Sequence, residues 1–68
     1  MKMYRLYAKF EGDATYKPVD WKGGRQVTNL IYASLFTKEE KETLERVDLA
    51  HPDNAGFSFE FRTVKGSS

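Results

Sequence analysis

The chain has 68 residues, no cysteine, eleven Lys and Arg against ten Asp and Glu, and a formal net charge of +1. That is chain enough for one domain. It excludes disulfides and thiolate chemistry, and it argues against a polyanion binder unless the cations gather on one face. Aromatic residues make up 15% of the chain. They are an efficient way to build a core in a domain so short that folding hides only ~60% of the surface its unfolded form exposes.

The first residues, Met1-Lys2-Met3-Tyr4-Arg5, lack the apolar run of a signal peptide. Residues 3–11 alternate with the period of a strand. Tyr4, Leu6, Ala8 and Phe10 form its core face, and Arg5, Tyr7, Lys9 and Glu11 face water. Gly12-Asp13-Ala14 supplies a turn. Residues 15–22 read as a second strand. Pro18 has no N–H to give to a ladder, which predicts an edge position. Gly23-Gly24 predicts a two-residue hairpin turn with Trp21 opposite Gln26, Val19 opposite Thr28, and Lys22 facing Arg25. That like-charge pair leaves a shifted register or a wider turn open.

Residues 26–36 are the longest nearly uncharged stretch, too short for a membrane span of ~20 apolar residues. Val27, Leu30, Ile31, Ser34 and Leu35 fit helical spacing, whereas Val27, Ile31, Ala33 and Leu35 fit one face of a strand. The Gly-Gly turn before the stretch and its β-branched and aromatic content favour a strand. With both faces apolar, it would be a central strand. Thr37-Lys38-Glu39-Glu40 is a capping box, and it opens a helix predicted from about Lys38 to Ala50, with Leu44, Val47 and Ala50 or His51 turned inward. His51-Pro52-Asp53-Asn54-Ala55-Gly56 ends that helix. Residues 57–64 alternate cleanly, with Phe57, Phe59 and Phe61 toward the core and Ser58, Glu60 and Arg62 outward. The expected fold is a small α+β domain of β-β-β-α-β order over residues 1–65, a mostly antiparallel sheet with one helix packed on one face. Residues 66–68 are expected to form a flexible tail.

No catalytic or metal motif stands out. His51 is the only histidine, and with no cysteine beside it a metal site or nucleophile–base pair lacks partners. The carboxylates Glu39, Glu40, Glu42, Glu45 and Asp48 interleave with Lys38, Lys41 and Arg46, as on a solvated helix face. Asp53-Asn54-Ala55-Gly56 lacks the spacing and final glutamate of a calcium loop. Gly23-Gly24 lacks the spacing of a phosphate loop. No cofactor, metal or small-molecule substrate is inferred.

The candidate site is the sheet face away from the helix. Strand parity gathers Arg5, Tyr7, Lys9, Leu30, Tyr32, Glu60 and Arg62 there, joined by Val19 and Trp21, and the hairpin tip adds Lys22 and Arg25. The candidate partner-binding residues are Arg5, Tyr7, Lys9, Trp21, Lys22, Arg25, Leu30, Tyr32 and Arg62. Trp, Tyr and Arg dominate protein-binding hot spots. Aromatics among cations also stack bases and contact phosphates. The plain alternative is a surface that merely shields the sheet. A protein partner or self-association ranks ahead of nucleic acid because the net charge is near zero.

The segment Tyr4-Arg5-Leu6-Tyr7-Ala8-Lys9-Phe10 before a turn, then Gln26 to Thr37 and a charged helix, resembles short uncharacterised proteins carried by phages and mobile elements of Gram-positive bacteria. The resemblance spans most of the chain. It implies a cytoplasmic, non-enzymatic accessory protein that binds and modulates a host or defence protein. It carries no active site and therefore no functional residue.

Overall fold

The structure is a computed structural model that describes residues 2–64. The expected tail, residues 66–68, and Lys65 lie outside the described residues. The strands are β1 (Tyr4–Phe10), β2 (Lys17–Asp20), β3 (Arg25–Gln26), β4 (Leu35–Phe36) and β5 (Phe57–Thr63). The helix α1 (Lys38–Thr43) runs on into a π turn, Leu44–Asp48. Two 3-10 turns, Leu30–Tyr32 and Pro52–Asn54, complete the described elements. The protein is a small α+β domain whose sheet pairings are all antiparallel.

The strand at the centre is β1. Along one edge it pairs with β5 over its whole length, from Tyr4↔Thr63 to Phe10↔Phe57. Its other edge is shared. β2 takes one part, with Tyr7↔Pro18 and Ala8↔Lys17, and β4 takes the other, with Tyr4↔Phe36 and Arg5↔Leu35. β3 then pairs outside β2. This corrects the expected central strand over residues 27–36, of which only Leu35–Phe36 is strand and the rest is a 3-10 turn and irregular chain. Two physical causes break it. Asn29 caps a 3-10 turn, its Oδ1 accepting from the Ile31 amide at 3.0 Å, the local bond that makes Asn a turn former. In addition, β2 already occupies β1 beside Tyr7 and Ala8, so only Leu35 and Phe36 find free edge. The stretch is instead pinned to β2: the Val27 amide donates to Pro18 O at 2.8 Å and the Ser34 amide to Val19 O at 3.0 Å.

The hairpin turn is wider than two residues. Val19 pairs with Gln26 and Asp20 with Arg25, leaving Trp21-Lys22-Gly23-Gly24 as the loop. Asp20 explains the shift, because its Oδ1 accepts from the Gly23 amide at 3.1 Å. A Cβ at Gly23 would lie 2.6 Å from Asp20 Oδ2, and Gly24 sits at φ 65°. A side chain at Gly23 would push the Asp20 carboxylate aside and break its bond to the Gly23 amide, and the left-handed backbone at Gly24 favours glycine. Arg25 faces Asp20, with Nε 3.6 Å from Oδ2, and the expected Lys22–Arg25 repulsion is replaced by an attraction.

The core is Leu6, Ala8, Val19, Phe36 and Leu44, with Trp21, Leu49, Phe59 and Phe61 half-buried against it. Leu6 is fully buried, a contribution of about 2 kcal/mol from its side chain. The capping box forms as expected: Thr37 Oγ1 accepts from the Glu40 amide at 3.2 Å, and Glu40 Oε1 accepts from the Thr37 amide at 2.8 Å. The inward face of the helix differs from the expectation. Val47 is 58% exposed, and Leu49 packs on the core in its place. The π turn is the reason. The Leu49 amide reaches back five residues to Leu44 O at 2.8 Å, and that wider turn sets Leu49 beneath Leu44 and swings Val47 out.

Candidate functional site

The pairing of β1 with β5 gathers part of the candidate set. Arg5, Tyr7 and Lys9 share one parity on β1, and Arg62, Glu60 and Ser58 lie opposite them on β5. The guanidinium of Arg62 sits 4.1 Å from the centre of the Tyr7 ring, and its Nε donates a hydrogen bond to Glu60 Oε2 within an ion pair. That hydrogen bond pushes the Arg62 pKa further above its ordinary value. Lys9 Nζ lies 5.2 Å from the centre of the Tyr16 ring, and Arg62 reaches the same ring at 6.0 Å. Each tyrosine face is thus covered by a cation, the arrangement its quadrupole favours. The Nε of Arg5 is buried without a hydrogen-bond partner.

Four of the candidate residues, Arg5, Tyr7, Lys9 and Arg62, therefore share one surface. Tyr16 belongs with them and was missed. The signal for it was the parity of the second strand. Tyr7 pairs with Pro18, so the even positions of that segment share the face of Tyr7, and Val19 belongs to the other side. Val19 is correspondingly buried in the core. Trp21 is corrected in the same way. It packs against the core, and its amide donates to Ser34 Oγ at 2.8 Å. Lys22 is exposed in the hairpin loop, and Arg25 stands at the loop's end, paired with Asp20. Leu30 and Tyr32 are not on a strand. They lie on the 3-10 turn with Ile31, at 45%, 61% and 77% exposure for Leu30, Tyr32 and Ile31 respectively. The turn is held by the Asn29 cap and by the Tyr32 amide to Asn29 O and the Ala33 amide to Leu30 O, both at 3.1 Å. Leu35, 49% exposed, pairs beside Arg5 and carries apolar surface to the edge of the cation–tyrosine cluster.

The helix side of the sheet is only partly covered. Lys41 Nζ lies 5.5 Å from the ring centres of both Tyr4 and Phe61, so the helix sits over that end of β1. Toward the other end, a hollow of about 460 Å³ opens between Ala8, Val19, Trp21, Phe57 and Phe59, with Arg25, Gln26 and Asn54 also lining it. Gln26 is fixed there by a 2.9 Å bond from Nε2 to Ala8 O.

His51 has a local structural role. Its Nδ1 accepts from the Asp53 amide at 3.1 Å and caps the Pro52–Asn54 turn. Among the described residues no group of three or more His, Cys, Asp and Glu is placed to hold a metal ion, and no helix is long and apolar enough to cross a membrane. No family model, curated protein or solved structure matches the chain.

Proposed function

We propose that this protein is a small non-enzymatic binding module, a cytoplasmic accessory protein that engages a protein partner through the Leu30–Tyr32 turn and the adjoining sheet face of Arg5, Tyr7, Lys9 and Arg62. The observation that carries the reading is Ile31, 77% exposed at the apex of three consecutive large apolar residues. Exposed apolar clusters of this kind mark interaction sites. The Asn29 cap holds the turn in one shape before contact, which lowers the ordering cost of binding. The implied role as a phage or mobile-element protein that modulates a host protein follows from the sequence resemblance and is part of the same proposal.

Nucleic acid is the second reading, favoured by Lys9 and Arg62 gathered on two tyrosines with Arg5 opposite Arg62 in the ladder. It is weaker because Arg62 already lies over one face of the Tyr7 ring at 4.1 Å, leaving less of it to stack on a base. The discriminating experiment compares the full chain with Leu30→Ser/Ile31→Ser, each checked for folding by circular dichroism. Both are presented to a host protein extract and to a mixed DNA and RNA pool at two salt concentrations. The proposal expects a protein retained by the wild type and lost by the double variant, with little dependence on salt. Retention of nucleic acid alone, lost at high salt and unaffected by the double variant, would overturn it in favour of the second reading.

A further inference from the structure

The outer edge of β5 carries a self-complementary pattern. Two bonds flank the β1–β5 ladder: the Glu11 amide to Gly56 O at 3.0 Å and the Val64 amide to Met3 O at 2.9 Å. In an antiparallel ladder hydrogen-bonded and non-hydrogen-bonded pairs alternate. These two bonds therefore place the even-numbered residues of β5 in the bonded pairs with β1. Phe57, Phe59, Phe61 and Thr63 point their N–H and C=O groups the other way, to the free edge. Among the described residues β1 is the only strand that pairs with β5. The strand is seven residues long, with no proline and no positive φ. Edges of this length and regularity are normally blocked, because they template pairing with another chain.

The charges on β5 specify which chain fits. We infer that β5 pairs antiparallel with β5 of a second copy, about a two-fold axis through Phe61, to make one continuous sheet across a homodimer. In that register Glu60 of each copy lies opposite Arg62 of the other, two opposite-charge cross-strand pairs on one face. Phe61 faces its own counterpart on the other face, and Phe59 faces Thr63. The outward backbone groups of Phe59, Phe61 and Thr63 then form about six interchain hydrogen bonds, two for each bonded pair. A two-fold axis through Glu60 would set that carboxylate against itself, so the charges select the register through Phe61. The Glu60–Arg62 ion pair within one strand opens to make the two pairs between strands. This pairing shares Arg62 with the proposed partner surface but makes no use of the Leu30–Tyr32 turn, so the Leu30→Ser/Ile31→Ser variant tests the partner contact without touching the β5 pairing.

Sedimentation equilibrium of the full chain, from low micromolar to several hundred micromolar, tests it, with circular dichroism confirming the fold of each variant. The wild type is expected to dimerise. Glu60→Arg sets arginines opposite each other and Arg62→Glu sets glutamates opposite each other, so each alone is expected to dimerise roughly tenfold more weakly or not at all. An equimolar mixture of the two restores opposite charges in a heterodimer and is expected to recover association. Thr63→Pro removes an outward N–H that the β1 ladder does not use and is expected to remain folded and monomeric. A wild type that stays monomeric, a mixture that associates no better than its components, or a Thr63→Pro protein that dimerises as tightly as the wild type would each overturn the inference.

Discussion

Arg62 and Tyr7 are joined across two strands: the guanidinium of one lies 4.1 Å from the ring centre of the other. They occupy diagonal positions of the β1–β5 ladder, since Tyr7 is directly opposite Glu60. The contact therefore reads out the register between the first and last strands. Tyr7→Leu and Arg62→Met are expected to destabilise less in combination than the sum of the two single changes, because the second removes a contact already lost. A double-mutant cycle by urea denaturation measures this. Strict additivity would mean that the contact contributes nothing in solution.

Asp13 links the first turn to the hairpin. Its Oδ2 accepts from the Phe10 amide at 2.9 Å and from Gln26 Nε2 at 3.4 Å. The bond from Phe10, then that from Gln26, hold its pKa below the ordinary 3.8, with Lys17 and Lys9 adding attraction. A carboxylate whose folded pKa is depressed stabilises the fold fully above its unfolded pKa and loses that contribution as pH falls through the lower folded value. The stability gap between the wild type and Asp13→Ala is therefore expected to be constant above about pH 5 and to shrink below about pH 4. Urea midpoints across that range check it. A gap that widens on acidification would contradict the sign.

Thr37 closes the capping box with Glu40. Thr37→Ala leaves the Glu40 amide without its side-chain acceptor and is expected to cost about 1 kcal/mol, with a loss of helical circular dichroism. Thr37→Ser, which keeps the oxygen, is expected to stay close to the wild type. Equal losses in the two variants would show that the methyl group, not the hydrogen bond, matters.

Leu6 and Phe59 separate the enclosed part of the core from its open part. Leu6 is fully buried, and Leu6→Ala is expected to cost about 3 kcal/mol or more. Phe59 is half-buried and lines the hollow beside Trp21. Phe59→Ala is expected to cost less than the ~3–5 kcal/mol of a fully enclosed phenylalanine, because part of its ring already meets solvent. Chemical denaturation of both variants measures the difference. A larger loss at Phe59 than at Leu6 would mean that the hollow closes in solution.

The amino-acid sequence by itself determined the elements whose signals are local. Alternation in residues 4–10 and 57–63 specifies two strands and the side each turns to the core, because side chains on a strand change face at every residue, but Phe10 and Phe57, expected in the core, are 46% and 39% exposed at the open end of that face. Thr37 and Glu40 specify where the helix starts, because both capping bonds lie within three residues. Four residues of the candidate surface, Arg5, Tyr7, Lys9 and Arg62, were legible for the same reason. Tertiary structure decided the rest. Strand 27–36 fails because β2 had taken the edge of β1 that it needed, a competition invisible in the apolar pattern of the stretch. The parity of residues 16–21 depends on pairing between Pro18 and Tyr7, so Tyr16 joins the surface while Val19 and Trp21 leave it for the core. Val47 yields its inward place to Leu49 because one π turn, bonded from Leu49 to Leu44, rotates the end of the helix. In each case periodicity describes a segment alone, while burial is assigned by the neighbour that reaches the space first.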